Sequence, residues 1–319
     1  MINRRNLRRI GILVAASLAA TMLAACGSES SGGDKGAIRL ALNNTSASLA
    51  AVVADQKGFF KKEGLSVQTT VLNDITKIPP ALGKQFDIGF GVQPLMIRAS
   101  TQGVPITMVS GNEFTTAKQP EIMLVTRADS GITSANDMKG KTLGAPTLTG
   151  NLHLGALYWL KTNGVDPTSV NSVQVASPSM IDQLDAKRID VAEMQQPFIN
   201  LAKAQGLKAF AYPLEVVGDP AQLSSWQANL NWAKSHGSDI TKFRAALDGA
   251  KKWMTANPKE TRDILATFTK LPAAVVAESP LPEFTTDNSQ ESVKQWDKVM
   301  RGVTDFSAKV DYAKLVFNP

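Results

Sequence analysis

Four short polar stretches hold most of the side chains that could grip a small molecule. Asn43, Asn44 and Thr45 follow the apolar run AIRLAL, Phe90 and Gln93 close the run FDIGFG, and Asn112 follows PITMVSG. The fourth, APTLTGNLHLG over 145–155, sets Thr147, Thr149, Gly150 and Asn151 ahead of a helical pattern that contains His153. The first N–H groups of a helix lack internal partners, and the helix dipole adds to their pull on phosphate, sulfonate or carboxylate. A Thr or Asn cap would satisfy the same groups. Gln195 and Gln196 offer further amides, and Trp226 in LSSWQAN offers an aromatic surface or a core filler. These groups form hydrogen bonds and stack; they are poorly suited to breaking bonds.

The chemistry available elsewhere is as sparse. The chain has two histidines, His153 and His236, and one cysteine, Cys26. It shows no Gly-rich P-loop, no Cys/His zinc spacing, no nucleophile elbow and no arranged carboxylate pair. No cofactor, metal or catalytic residue is expected, and a binding role is favoured over an enzymatic one. No Lys/Arg run with interleaved aromatics points to nucleic acid.

Elements that would position these loops alternate along the chain. Strand-length apolar runs at 37–42, 65–72, 86–91, 105–111 and 121–127 are separated by helical patterns at 48–62 and 93–103. The alternation continues through KTLGAP, NLHLGALYWLKTNG, VNSVQVA, PSMIDQLDAKR, IDVAEM and QPFINLAKAQG, and helical periodicity dominates from about 229. This order predicts an α/β architecture with mostly parallel pairing. In such sheets ligands sit outside the carboxyl ends of the strands, which is where the polar loops fall.

The pattern repeats. Lys84, Asp87, Gln93-Pro94 and Gln102-Gly103 recur as Lys187, Asp190, Gln196-Pro197 and Gln205-Gly206, each at an offset of 103. Pro suits a first helical turn and Gly suits a helix end, so both copies read as strand, Gln-Pro, helix and Gly cap. Two related lobes are expected, with Gln93 and Gln196 facing each other across the gap.

The front of the chain is of a different kind. MINRRNLRR is basic and the following 16 residues are uncharged and apolar, the order of an export signal over 1–25 and short for a membrane-spanning helix. Leu23-Ala24-Ala25-Cys26 resembles the lipobox of bacterial lipoproteins, which implies cleavage before Cys26 and acylation of its thiol. Arg4-Arg5 resembles a twin-arginine signal, with an ordinary basic start as the simpler reading. Removing 1–25 takes away four arginines and no acid, so the net charge falls from +6 to +2. GSESSGGDKG then reads as a flexible tether, completing a segment 26–36.

The ordered motifs ADQKGFFKKEGLSVQ, FDIGFGVQPLMIRASTQGVPI, DMKGKTLGAP and SMIDQLDAKRIDVAEMQQPF resemble the substrate-binding proteins of ABC importers for sulfonates, nitrate, taurine and thiamine precursors, the NMT1/THI5-like group. The resemblance covers roughly 37–270 and implies a type II periplasmic-binding-protein fold, two α/β lobes closing on a ligand. Lobe one would be 37–125 plus 216–319, and lobe two 126–215. It further implies a monomer on the outer face of a bacterial membrane, partnered by a permease and an ATPase. A sensor lipoprotein without transport fits the same sequence. Gln196 departs from the family, where Glu before Pro is common, and this weighs against a cationic ligand. A sulfonate or other small oxyanion is the expected cargo. A neutral pyrimidine-like or aromatic compound held by Gln, Asn and Trp226 is the alternative, since no Arg lies in a strand-end loop.

Overall fold

A computed structural model describes residues 36–319; the export signal, Cys26 and the tether up to residue 35 lie outside the described residues. The chain begins β1 (Ile38–Asn43), α1 (Leu49–Gln56), α2 (Phe59–Lys62), β2 (Val67–Leu72), α3 (Ile78–Ala81), β3 (Ile88–Gly91), α4 (Gln93–Thr101) and β4 (Ile106–Gly111). There follow β5 (Glu113–Thr115), β6 (Ile122–Thr126), β7 (Thr142–Ala145), α5 (Asn151–Thr162), β8 (Asn171–Gln174), α6 (Met180–Asp185), β9 (Val191–Gln195), α7 (Phe198–Ala204) and β10 (Lys208–Ala211). The last part runs β11 (Ala221–Gln222), β12 (Ser225–Asn229), α8 (Leu230–Ser235), α9 (Gly237–Ala256), α10 (Pro258–Thr269), α11 (Ala273–Ala277), β13 (Glu283–Phe284), α12 (Gln290–Val303) and α13 (Tyr312–Leu315). The expected helix over 48–62 is two helices, because Gly58 turns left-handed at φ 72° between α1 and α2.

Two five-stranded sheets carry the fold, ordered β2-β1-β3-β12-β4 and β10-β6-β9-β7-β8. Read from the β8 edge, the second sheet has the order of the first, and strands 103 residues apart occupy equivalent places. Each sheet takes one antiparallel strand, β12 in the first and β6 in the second, between two strands of its own repeat. The remaining β1–β2, β1–β3, β7–β8 and β7–β9 pairs are parallel. The sheets are therefore mixed, a correction to the mostly parallel expectation. Its cause is that the chain enters one lobe from the other, and the entering strand runs against its neighbours. Since β6 pairs within the second sheet, the first crossing lies ahead of Ile122, earlier than the expected boundary at 125/126. A small sheet, β11-β5-β13, sits at the crossings.

The repeat has a physical content. Asp87 Oδ2 accepts the backbone N–H of Arg39 at 2.8 Å, and Asp190 Oδ2 accepts that of Thr142 at 2.9 Å. In return the Asp87 N–H reaches the Arg39 carbonyl and the Asp190 N–H reaches that of Thr142. Both aspartates thus lock the start of one strand to the next. Gly103 and Gly206 end α4 and α7 at φ 87° and 85°, a left-handed conformation in which a Cβ would be strained. Val104 and Leu207 then donate back to Ala99 and Ala202, each at 3.0 Å.

Burial follows the layers. Leu40, Leu42, Ile88, Phe90 and Trp226 of the first sheet pack with Leu49–Ala54 of α1 and with Phe243 of α9. In the second sheet Leu124, Leu143 and Val191 face Trp159 and Leu160 of α5, while Val125 and Ala192 face Met180, Leu184 and Ile199. Strands with apolar residues on both faces are those that helices cover twice.

Candidate functional site

A cavity of about 610 Å³ opens where the strand ends of both sheets meet the crossings. Asn43, Asn44 and Thr45 reach it from the end of β1, Asp74 from the loop after β2, and Phe90 and Val92 from the end of β3. From the second sheet come Pro146, Thr147, Gly150, Asn151 and Leu152 after β7, Gln174 and Ser177 at and after β8, and Gln195 and Phe198 around the end of β9. Glu113, Leu223 and Ser224 line it from the crossings, Ile122 from the start of β6, and Lys270 and Leu271 from beyond α10. Contributions from two sheets and from their connections are what a ligand held at strand ends requires.

The β1 loop is rigid by construction. Asn43 donates from Nδ2 to Thr45 Oγ1 at 2.7 Å and accepts at Oδ1 from Ser48 Oγ at 2.6 Å. Asn112 Nδ2 donates to the Ala47 carbonyl at 2.8 Å and to Ser224 Oγ at 3.0 Å, tying this loop to the second crossing. Ser46 Oγ donates to the Gln196 carbonyl at 3.0 Å, a direct bond from the β1 loop to the end of β9.

At the start of α5 no side chain caps the helix, and the N-cap residue is Gly150. The Thr or Asn cap that the sequence allowed is not made. Asn151 instead donates from Nδ2 to the Leu223 carbonyl at 2.8 Å, holding α5 against the second crossing. An uncapped helix start at a cavity wall can take an anion through its N–H groups.

Six expected residues fall outside this wall. Gln93 is fully buried as the first residue of α4, with neither amide atom hydrogen-bonded. Gln196 turns back along its own helix, its Nε2 reaching Asn200 Oδ1 at 3.4 Å, so the two repeat glutamines do not face each other across the cleft. Asn112 is consumed by the backbone tie just described. Thr149 is exposed beside the lining. His153 lies one helical step inward, buried, with Nδ1 2.7 Å from Glu193 Oε1. Burial opposes the charged imidazole, but the adjacent Glu193 carboxylate outweighs it and raises the His153 pKa; burial raises that of Glu193. Trp226 is fully buried behind Phe90, edge-on to Phe90 and to Phe243 at centroid distances of 6.3 and 5.7 Å. Asn43, Asn44, Thr45, Phe90, Thr147, Gly150, Asn151 and Gln195 do line the cavity.

Glu113 is the lining residue that the sequence reading missed and that matters most. It follows Asn112 directly, so its signal was an acid two residues beyond a strand end. Burial, and then the charge of nearby Glu121, push its carboxyl well above the usual range. Burial also pushes Glu121 to about 8, a Gln119 hydrogen bond opposing this and Glu283 adding to it. Asp74, Ser224 and Lys270 line the cavity as well and were missed; Ser224 and Lys270 lie on segments outside the repeat, and Asp74 falls after β2 where its counterpart in the second copy is Ser177. Among the described residues no group of three or more His, Cys, Asp or Glu could hold a metal ion. Among them, no helix is long and apolar enough to cross a membrane.

The model of one protein family, described as NMT1/THI5 like, matches residues 45–261, which span both sheets and most of the cavity wall. The chain belongs to the NMT1/THI5-like family. A relative from Brachyspira hyodysenteriae, provisionally named an ABC transporter periplasmic binding protein, is 27% identical over 179 residues, 54% of this chain and 51% of its own. The chain thus spans about half the length of that relative. A Uromyces fabae relative named 4-amino-5-hydroxymethyl-2-methylpyrimidine phosphate synthase is 26% identical over 286 residues, covering 83% of this chain and 81% of its own. The crystal structure of the periplasmic aliphatic sulphonate binding protein of Escherichia coli superposes with a TM-score of 0.73 at 18% identity, over 88% of this chain and 97% of that one. This NMT1/THI5-like chain has the two-lobe periplasmic-binding-protein fold, and its cleft lies at the strand ends of both lobes.

Proposed function

We propose that this NMT1/THI5-like protein is the solute-binding lipoprotein of an ABC importer, exported, anchored through an acylated Cys26, and closing its lobes on a small organic oxyanion. The uncapped start of α5 in the wall of the 610 Å³ cavity carries this reading. Lobe closure would pivot on the crossings near 116–121 and 212–224 and be stabilised by ligand contacts from both sides. A ligand drives closure only by binding the closed state more tightly than the open one, and the wall built from both lobes supplies that difference. The closed form is then what a permease and its ATPase would recognise, with no cofactor and no catalytic residue involved. The names of the Brachyspira relative and of the Escherichia coli sulphonate-binding structure support the importer role.

A neutral pyrimidine-like or aromatic ligand is the second reading. Phe90, Phe198 and Leu223 give the cleft apolar surface, and Gln174 and Gln195 give it neutral amides. The Uromyces relative's name points the same way.

A thermal-shift screen of the full chain against alkanesulfonates, nitrate, small carboxylates and aminopyrimidines separates the two. At about 100 times its dissociation constant a ligand stabilises by about 2.7 kcal/mol, a shift of several degrees. Stabilisation by sulfonates or carboxylates supports the oxyanion. A response confined to aminopyrimidines replaces it with the second reading.

A further inference from the structure

Glu113 stands at the floor of the cleft with one oxygen unaccounted for. The residue is 1% exposed, on β5 at the start of the first crossing, and lines the cavity. Its backbone is fixed, with the N–H donating to Ser224 Oγ at 3.3 Å and the carbonyl accepting from Leu223 at 2.8 Å. Oε2 lies 3.5 Å from Gln195 Nε2, which reaches over from β9, and Oε1 has no hydrogen-bond partner.

The neighbouring strands and crossings supply no counter-charge to it, and Lys270, from beyond α10, is the one cation among the residues lining the cavity. From the segment before β6 comes Glu121, whose Oε2 is also unpartnered. The paired strand β13 brings Glu283, and Tyr212 lies on the second crossing beside Glu121. On β9 the Glu193 carboxylate is matched to His153. At the outer wall of the cavity are Asp74, which accepts from Thr76, and Lys270. A carboxylate here would be desolvated, beside other acids, and would place a negative charge against an anion at α5. A carboxylic acid fits every partner: Oε2 accepts from Gln195, and Oε1 carries a hydroxyl with no acceptor among the described residues.

We propose that Glu113 is held as the uncharged acid and donates its Oε1 hydroxyl to an acceptor oxygen of the ligand, so that oxyanion affinity is lost when Glu113 ionises. This rests on the oxyanion reading above. Burial and the neighbouring Glu121 act in the required direction, both favouring the protonated form. The cleft would then select for proton state as well as for shape, accepting an anion under neutral conditions and releasing it under alkaline ones.

Two measurements on the full chain test this. The first is 13C NMR titration of the Glu113 side-chain carboxyl without ligand, assigned by its absence in Glu113→Gln; a protonated carboxyl at pH 7 is expected. The second is calorimetric titration with ethanesulfonate, an anion throughout, between pH 6 and 9.5. Affinity should fall by up to about tenfold per pH unit once Glu113 ionises. Glu113→Gln, whose amide donates in place of the hydroxyl, should bind with no such fall.

Ionised Glu113 at pH 7 overturns the proposal, as does a pH profile shared by the native protein and Glu113→Gln. Affinity that rises with pH and vanishes in Glu113→Gln also overturns it, since the ionised form of Glu113 would then be the one that favours binding. Binding of ethanesulfonate without pH dependence removes the proposal alone. Failure of ethanesulfonate, methanesulfonate and acetate to bind at any pH removes the oxyanion reading and the proposal with it. Should Glu113→Gln not fold, the native titrations decide by themselves.

Discussion

Capping α5 with a charged side chain should make the protein more stable and a worse binder. Gly150 has φ −87° and ψ 173°, extended backbone open to any residue, and a Cβ there would meet Thr147 Cβ no closer than 3.4 Å. Gly150→Asp therefore enters without strain, and its carboxylate can accept from the first N–H groups of the helix. Replacing Gly by Asp at an N-cap gains a few tenths of a kcal/mol, and the dipole adds roughly 0.3–1 kcal/mol. A melting temperature higher by about 1–4 °C follows for a domain of this size.

The same carboxylate would occupy the anion's place and repel it. Two like charges about 6 Å apart at an effective dielectric near 20 repel by about 3 kcal/mol, or roughly a hundredfold in affinity. Gly150→Ser caps without charge and should lose far less. Circular dichroism melting and calorimetric titration with ethanesulfonate read the two effects separately, and their opposite signs exclude general damage as the cause. If Gly150→Asp keeps native affinity while the melting point rises, the helix start is capped but is not the anion site. The proposed function would then lose the observation that carries it.

Gln195→Ala should lower affinity by roughly three- to tenfold, the worth of one hydrogen bond, whereas Gln196→Ala, with its side chain turned to Asn200, should stay within about twofold by the same titration. Asp190→Ala leaves the Thr142 N–H without its acceptor and should cost about 1–3 kcal/mol in urea unfolding, with ligand affinity per folded molecule unchanged. Glu121 binds a proton in the folded state up to about pH 8, and the unfolded chain releases it near 4.5, the ordinary range of a glutamate. Folding stability should therefore fall as pH rises through that window, by up to about 1.4 kcal/mol per unit, and Glu121→Gln should flatten the slope in urea melts at pH 5, 6.5 and 8.

Strand ends and helix punctuation were legible in the sequence because they rest on local physics. Apolar runs gave β1 to β4 and β6 to within about two residues, and the Gln-Pro and Gln-Gly pairs marked the ends of α4 and α7. What could not be read locally was the direction of a side chain at a strand end. Gln93 and Gln196 are equivalent in the repeat, yet Gln93 opens α4 and is sealed inside lobe one, whereas Gln196 stands two residues ahead of α7 and reaches Asn200, a difference that their spacing does not carry. Trp226 was undecided between cleft and core; its pairing with Phe90 on β3 places it in the layer behind the wall. Glu113 was invisible for a further reason. It lies on a connection between lobes, outside the repeating unit, where no periodicity announces burial.

The offset of 103 residues also separates scaffold from specificity. Positions alike in both copies, Asp87 with Asp190 and Gly103 with Gly206, hold strands and end helices, and none lines the cavity. At and behind the cavity wall the two copies differ. Phe90 in lobe one corresponds to Glu193 in lobe two, and Val92 to Gln195. The first lobe thus packs an aromatic edge against Trp226, where the second buries a Glu193–His153 hydrogen bond and projects an amide. A cleft between two unchanged copies would present matching walls to both ends of a ligand. Divergence at these positions, together with Glu113 on a crossing that neither copy contains, leaves the two sides of the cleft unlike. An unsymmetrical small molecule, polar at one end, is the shape of ligand such walls favour.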